Sequence, residues 1–287
     1  MIKTILVCIS GSETDEKTLE LAGRIAKQQN SHIEVLHVRA DSRGLIQYTG
    51  EGMDGSMIEE ILEVSETESL SRAKGTKSKY ETFCRSSGIT IAEKPTDRDE
   101  PTICWVEKDG REDEIVSIHG RLFDFLIIGR PLKQRALPSP ITLEAALLDT
   151  GRPTLLASPE LPHETGKHVA IAWESSPEAA HAIAAAMPIL VNAVRVTLLS
   201  ADPMEAPSIP PEEGVKRLAW SQIDAQVLRF DATEQEIGAA YLFHATKVKA
   251  DILVKGAYAR SRIRQMILGG RTRHIITNTE IPVLLCK

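Results

Sequence analysis

Five arginines, Arg260, Arg262, Arg264, Arg271 and Arg273, crowd a stretch that also holds Gly256, Ala259, Gly269 and Gly270. That combination suits an anion. Glycine lets backbone N–H groups approach a phosphate with no Cβ in the way, and a helix N-terminus adds donors and a partial positive charge. A guanidinium can then hold the phosphate oxygens by charge-assisted bonds. The same arginines on an exposed loop and helix would simply be solvated, and both readings stand at this point. The candidate anion-binding residues are Gly256, Ala259, Gly269, Gly270 and Arg271.

Other chemistry finds little support. Gly75-Thr76-Lys77-Ser78 has no glycine five residues earlier and sits in a helix-like run, so it is not a P-loop. No Gly-x-Ser-x-Gly elbow is present. The histidines lack His-x3-His or His-Glu-x2-His spacing, and only His163 and His168, around a linker, hint at a metal. Nothing supplies a general base or a magnesium carboxylate beside the glycine stretch, so a non-enzymatic role is expected.

The elements that would position the stretch emerge when the chain is compared with itself. Lys3 to Ile9 is a short, branched apolar run followed by Ser10-Gly11-Ser12; Lys167 to Trp173 is another, followed by Glu174-Ser175-Ser176. Runs apolar on both faces are expected of a covered parallel sheet. Each leads into an amphipathic helix, with Leu19, Ala22, Gly23 and Ala26 on one face in the first copy and Ile183, Ala186, Met187 and Leu190 in the second. Ser12 and Ser176 are the expected N-caps, the latter followed by Pro177. His32 to Val38 and Val194 to Leu199 read as second strands. Asp124-Phe-Leu-Ile-Ile-Gly129 matches Asp251-Ile-Leu-Val-Lys-Gly256, and Arg152 to Leu156 matches Ile281 to Leu285. Asp124 and Asp251 therefore occupy equivalent places, where capping of a turn explains them better than acid catalysis.

The repeated strand–helix order predicts an α/β protein of two tandem three-layer α/β/α domains, each with a parallel five-stranded sheet, over residues 1–160 and 166–287. The linker is the Pro- and Gly-containing Ser158 to Gly166. First strands are offset more widely than the Asp-led strands, which leaves extra residues in the first half, expected around Gly44 to Gly55 and around Pro95 to Gly110. The former has four glycines in twelve residues and is either a lid or a plain loop before an amphipathic helix holding Met57, Ile58, Ile61 and Leu62. A net charge of −6 argues against nucleic acid or an anionic membrane as partner, and no apolar run is long enough for a membrane helix. Cys8, Cys84, Cys104 and Cys286 form no CxxC pair and read as reduced core thiols of a cytoplasmic protein.

The tail of each half resembles the universal stress protein family, whose motif is Gly-x2-Gly-x9-Gly-Ser/Thr after an Asp-led strand and before a Pro-Val-Leu-type strand. Gly256-x2-Ala259-x9-Gly269-Gly270 keeps that spacing, and Ile281-Pro282-Val283-Leu284-Leu285 closes it. The resemblance implies an adenine nucleotide alpha hydrolase-like fold, ATP or AMP as ligand, and an Asp at the end of the first strand for the adenosine. Here Ile9-Ser10-Gly11 has no such Asp, and the second half offers only Glu174 behind Trp173. Ala259 replaces a glycine, Gly270 replaces the hydroxyl, and the first half has Leu132 and Thr142-Leu143 at the motif positions. Two expectations follow: a non-enzymatic stress or signalling module whose halves form an internal pseudo-dimer with a degraded nucleotide motif, or a nucleotide-binding switch or slow ATPase using the second half. Self-association is expected through the closing strands, Thr154 to Ala157 and Val283 to Cys286, because an edge strand offers unpaired backbone groups.

Overall fold

The structure, a computed structural model, describes residues 1–40, 55–94, 99–132, 137–202, 208–233, 236–257 and 270–287. In the first half the order is β1 (Thr4–Cys8), α1 (Asp15–Gln29), β2 (His32–Ala40), α2 (Gly55–Ser87), β3 (Thr90–Ile91), β4 (Thr102–Gly110), α3 (Glu112–His119), β5 (Phe125–Gly129), α4 (Pro140–Asp149) and β6 (Thr154–Ala157). The second half follows with β7 (His168–Trp173), α5 (Pro177–Leu190), β8 (Arg195–Asp202), α6 (Pro211–Ala219), β9 (Ala225–Asp231), α7 (Ile237–Lys247), β10 (Ile252–Gly256), α8 (Gly270–Asn278) and β11 (Val283–Cys286).

The strands of the described residues join one 11-stranded sheet in the order β3-β4-β2-β1-β5-β6-β11-β10-β7-β8-β9. Pairing is parallel throughout each half, as an alternating strand–helix sequence demands. Among the described residues the one antiparallel pair is β6 with β11, where Leu155 faces Leu284 and Leu156 faces Val283. The two closing strands thus pair with each other inside the chain. Both edges of each are occupied, because β6 also bonds β5 and β11 also bonds β10.

Alternation along the strands sorts the core into layers. Ile5, Val7 and Ile9 face one side with Val169 and Ile171, under α1, α2, α5 and α6. Leu6 and Cys8 face the other side under α3 and α4, and Ala170 and Ala172 do so under α7 and α8. Leu143 and Leu147 of α4 pack into the second half's cluster, so the halves share apolar surface as well as the seam. All four cysteines are buried and unbridged. Gly75 to Ser78 lies within α2, as expected of a run that is no phosphate loop.

Two local expectations change. Ser12 is not an N-cap: α1 starts at Asp15, and Ser12 Oγ instead donates to the Asp15 carboxylate. Ser176 does cap α5, its Oγ accepting from the Ala179 N–H at 3.1 Å. The extra residues of the first half lie between β2 and β4, over 41–101 against 203–224 in the second half. They supply α2 and the short β3, whereas Thr102–Gly110 is not an insertion but a sheet strand in register with β2. The glycines from Gly44 to Gly52 fall outside the described residues.

Asp124 and Asp251 hold the first strand of each half. Asp124 Oδ2 accepts from the N–H groups of Lys3 and Thr4 at 2.9 and 3.0 Å. Asp251 accepts from Gly166, Lys167 and His168 at 2.8–2.9 Å. Burial pushes the Asp251 carboxyl up against those three bonds, while the exposed Asp124 is held below its ordinary range by the bonds from Lys3 and Thr4. The buried member matters more. Asp251→Ala leaves N–H groups unpaired and is expected to cost about 2–3 kcal/mol. Asp124→Ala, where water can replace the carboxylate, is expected to cost about 1 kcal/mol or less. Urea unfolding of the two variants ranks them; equal losses would refute the difference drawn from burial.

Candidate functional site

In each half the strand order reverses between the first strand and the Asp-led strand, β1 and β5 or β7 and β10. The crevice beyond their carboxyl ends is where an open α/β sheet takes a ligand. In both halves, bonded charged side chains stand at the ends of these strands.

The first-half crevice is built from the turn after β1. Gly11, at φ +87°, adopts a backbone that favours glycine, and Arg72 of α2 lies where its Cβ would be. Asp15, buried, accepts from the Ser10 and Gly11 N–H groups and from Ser12 Oγ at 3.3, 2.9 and 2.8 Å. Lys79 reaches across from α2, 3.6 Å from Asp15 and donating to the Ser12 carbonyl at 2.6 Å. On the other side Thr142, in the first turn of α4, donates to Glu112 at 2.9 Å. Burial pushes the Glu112 carboxyl above its usual range, with Asp15 and Asp113 adding to the rise. The Thr142 hydroxyl is therefore already bonded to a carboxylate, which repels an incoming anion.

In the second half, Glu174, just past β7, and Lys255 on β10 form an ion pair of 2.6 Å. Lys255 is only 2% exposed. Its ammonium lies 5.7 Å from the ring centroid of Tyr241 on α7, whose hydroxyl donates to the Trp173 carbonyl. Burial drives the Tyr241 phenol well above its ordinary pKa, Glu174 pushes it further up, and Arg271 pulls it down. Glu174, Lys255, Tyr241 and Arg271 thus form one cluster at the mouth of the second crevice.

Of the residues chosen from sequence, Gly256 ends β10, buried, and Ala179 and Glu178 of α5 press on the place where its Cβ would be. Its counterpart Gly129 is met in the same way by Thr14, Thr18 and Pro138. Each glycine admits a helix against the sheet. Gly270 opens α8, exposed and with open space about its Cα. Arg271 is half-buried beside it and Arg273 is exposed. Ala259 and Gly269, with Arg260, Arg262 and Arg264, lie outside the described residues. Sequence reasoning did not select Lys255, Tyr241, Asp15 or Glu112. Lys255 had a readable signal, because its counterpart in the first half is Ile128. Among the described residues no group of His, Cys, Asp and Glu is arranged to hold a metal, and no helix is long and apolar enough to cross a membrane.

Comparison with known proteins agrees with this architecture. The model of the universal stress protein family matches residues 1–113 and again 166–287. The chain belongs to the universal stress protein family. A universal stress protein of Synechocystis sp. is 22% identical to it over 302 residues, covering 99% of both chains. The crystal structure of a universal stress protein from Archaeoglobus fulgidus superposes with a TM-score of 0.72 at 17% identity, covering 99% of this chain and 96% of that one. That likeness shows the fold, and the two matches of the family model show two family domains in tandem.

The buried pair makes a prediction of its own. Glu174→Ala strands a buried ammonium and is expected to cost about 3–5 kcal/mol. Replacing both partners, Glu174→Gln with Lys255→Met, should recover most of that loss. Chemical unfolding of the single and double variants checks this; a double variant no more stable than Glu174→Ala would mean the pair is not the coupled unit described here.

Proposed function

We propose that this universal stress protein is a non-enzymatic cytoplasmic stress-response and signalling module whose halves form an internal pseudo-dimer and whose nucleotide motif is degraded. The family and its tandem domains support the stress-response role. The observation that carries the rest is the filling of both crevices by the chain's own charges, Glu112 against Thr142 in one and Lys255 against Glu174 in the other. A nucleotide would have to displace buried, hydrogen-bonded groups, at a cost its own contacts must exceed. The pairing of β6 with β11 supports the pseudo-dimer, since it joins equivalent strands of two similar domains antiparallel, as a two-fold-related pair of subunits would.

A second reading, an adenine-nucleotide switch or slow ATPase using ATP or AMP, draws on one specific feature. Gly270, the first described residue of α8, has open space where a Cβ would be, and Arg271 stands beside the Lys255 cluster, so an anion there would meet a guanidinium. In that reading Gly256, Ala259, Gly269, Gly270 and Arg271 hold the phosphates.

Calorimetric titration with ATP, ADP and AMP separates the two. The module reading expects no saturable heat up to millimolar nucleotide. Saturable binding that disappears in a Gly270→Val/Arg271→Ala variant would overturn it in favour of the switch.

A further inference from the structure

Helix α2 runs for 33 residues, about 50 Å. Only its C-terminal part is packed into the protein. Ser69, Ala73, Thr76, Tyr80 and Cys84 are its buried positions, and Tyr80 and Cys84 are its members of the main apolar core. The turns before Ser69 hold no fully buried residue.

Those turns are nevertheless not polar all round. Met57, Ile61 and Val64, at i, i+4 and i+7, are 53%, 46% and 54% exposed. Ile58 and Leu62 lie beside them, half-buried. At about 100° per residue these five positions share one arc of about 160°. The rest of the circumference carries Glu59, Glu60, Glu63 and Glu66, and Glu68 ends the apolar stripe. Between residues 55 and 70 there is no lysine, arginine or histidine. The nearby cation Arg39 is already held by both oxygens of Asp109, at 2.6 and 2.9 Å.

A helix that carries an exposed apolar stripe, bordered by Glu60 and ended by Glu68, with Glu59, Glu63 and Glu66 round the far side, is unsuited to solvent and equally unsuited to its own copy, because two such faces would set like charges against each other. It is also repelled by anionic lipid. We propose that the N-terminal turns of α2, centred on Met57, Ile61 and Val64, are a docking face for a partner protein's basic amphipathic helix. The partner's apolar stripe covers these three side chains, and its lysines or arginines meet Glu60 and Glu68. Such a surface gives the module an output that depends on neither crevice.

The test uses the full chain and two fluorescent helical peptides with the same leucine stripe, one flanked by lysines and the other by glutamates, read by anisotropy. The lysine peptide should bind saturably, more weakly at high salt, and the glutamate peptide should not. Met57→Ser/Ile61→Ser and, separately, Glu60→Lys/Glu68→Lys should each weaken binding by about tenfold or more while leaving the thermal midpoint in place. Glu164→Lys/Asp224→Lys, which changes charge on the exposed surface of the second half, should leave it within about twofold. Equal losses in that control, or no loss in either stripe variant, would overturn the proposal. A concentration-dependent dimer in sedimentation that Met57→Ser/Ile61→Ser abolishes would overturn it too, by making a second copy the occupant.

Discussion

Three residue pairs between β6 and β11 decide the form of this molecule. Without them each half would end in an exposed apolar strand, Thr154–Ala157 or Val283–Cys286, with one row of backbone groups unpaired. With them, two parallel sheets become one, and among the described residues its outer strands are the two-residue β3, which covers only Thr102 and Ile103 of β4, and the partly exposed β9. An edge of two residues, or one broken up by charged side chains, is a poor template for another strand. The seam also fixes which helices become neighbours. Leu143 and Leu147 of α4 reach the second half's core because β11 lies next to β6.

The crevices follow from the same geometry. In each half a glycine at the end of the Asp-led strand lets a helix press close to the sheet, and the charged groups at the strand ends are largely buried. A charge placed there must find a partner or cost several kcal/mol. Each half solves this differently. The first uses Asp15 to gather the N–H groups and hydroxyl of the turn after β1, with Lys79 above it. The second uses a lysine in the sheet and a glutamate at the end of the neighbouring strand. The two domains therefore share a frame and differ in what fills it, which is the pattern expected when the frame is constrained by packing and the filling is not.

Much of the frame was legible in the sequence, for a physical reason. A strand covered on both faces must be continuously apolar, so Lys3 to Ile9, Lys167 to Trp173 and the two Asp-led runs stood out, and their repetition revealed the two halves. Ser176-Pro177 was legible because capping is local. Thr102–Gly110 was not, because Glu107, Lys108 and Asp109 extend its exposed end and hide the strand signal. The seam was half legible: both closing strands stood out as edges seeking a partner, but nothing local says that the partner is the other half. The site was least legible. Gly256 reads as a phosphate glycine in isolation and as a packing glycine once α5 is placed against it, and the pair of Glu174 with Lys255 joins residues 81 positions apart.

The central claim is that the chain's own side chains fill both crevices. The most direct measurement is a crystal structure determined in the presence of millimolar ATP and magnesium. The account predicts Lys255 bonded to Glu174 and Glu112 bonded to Thr142, with no nucleotide at either switch point. Nucleotide density in a crevice, with either pair separated to admit it, would contradict the account.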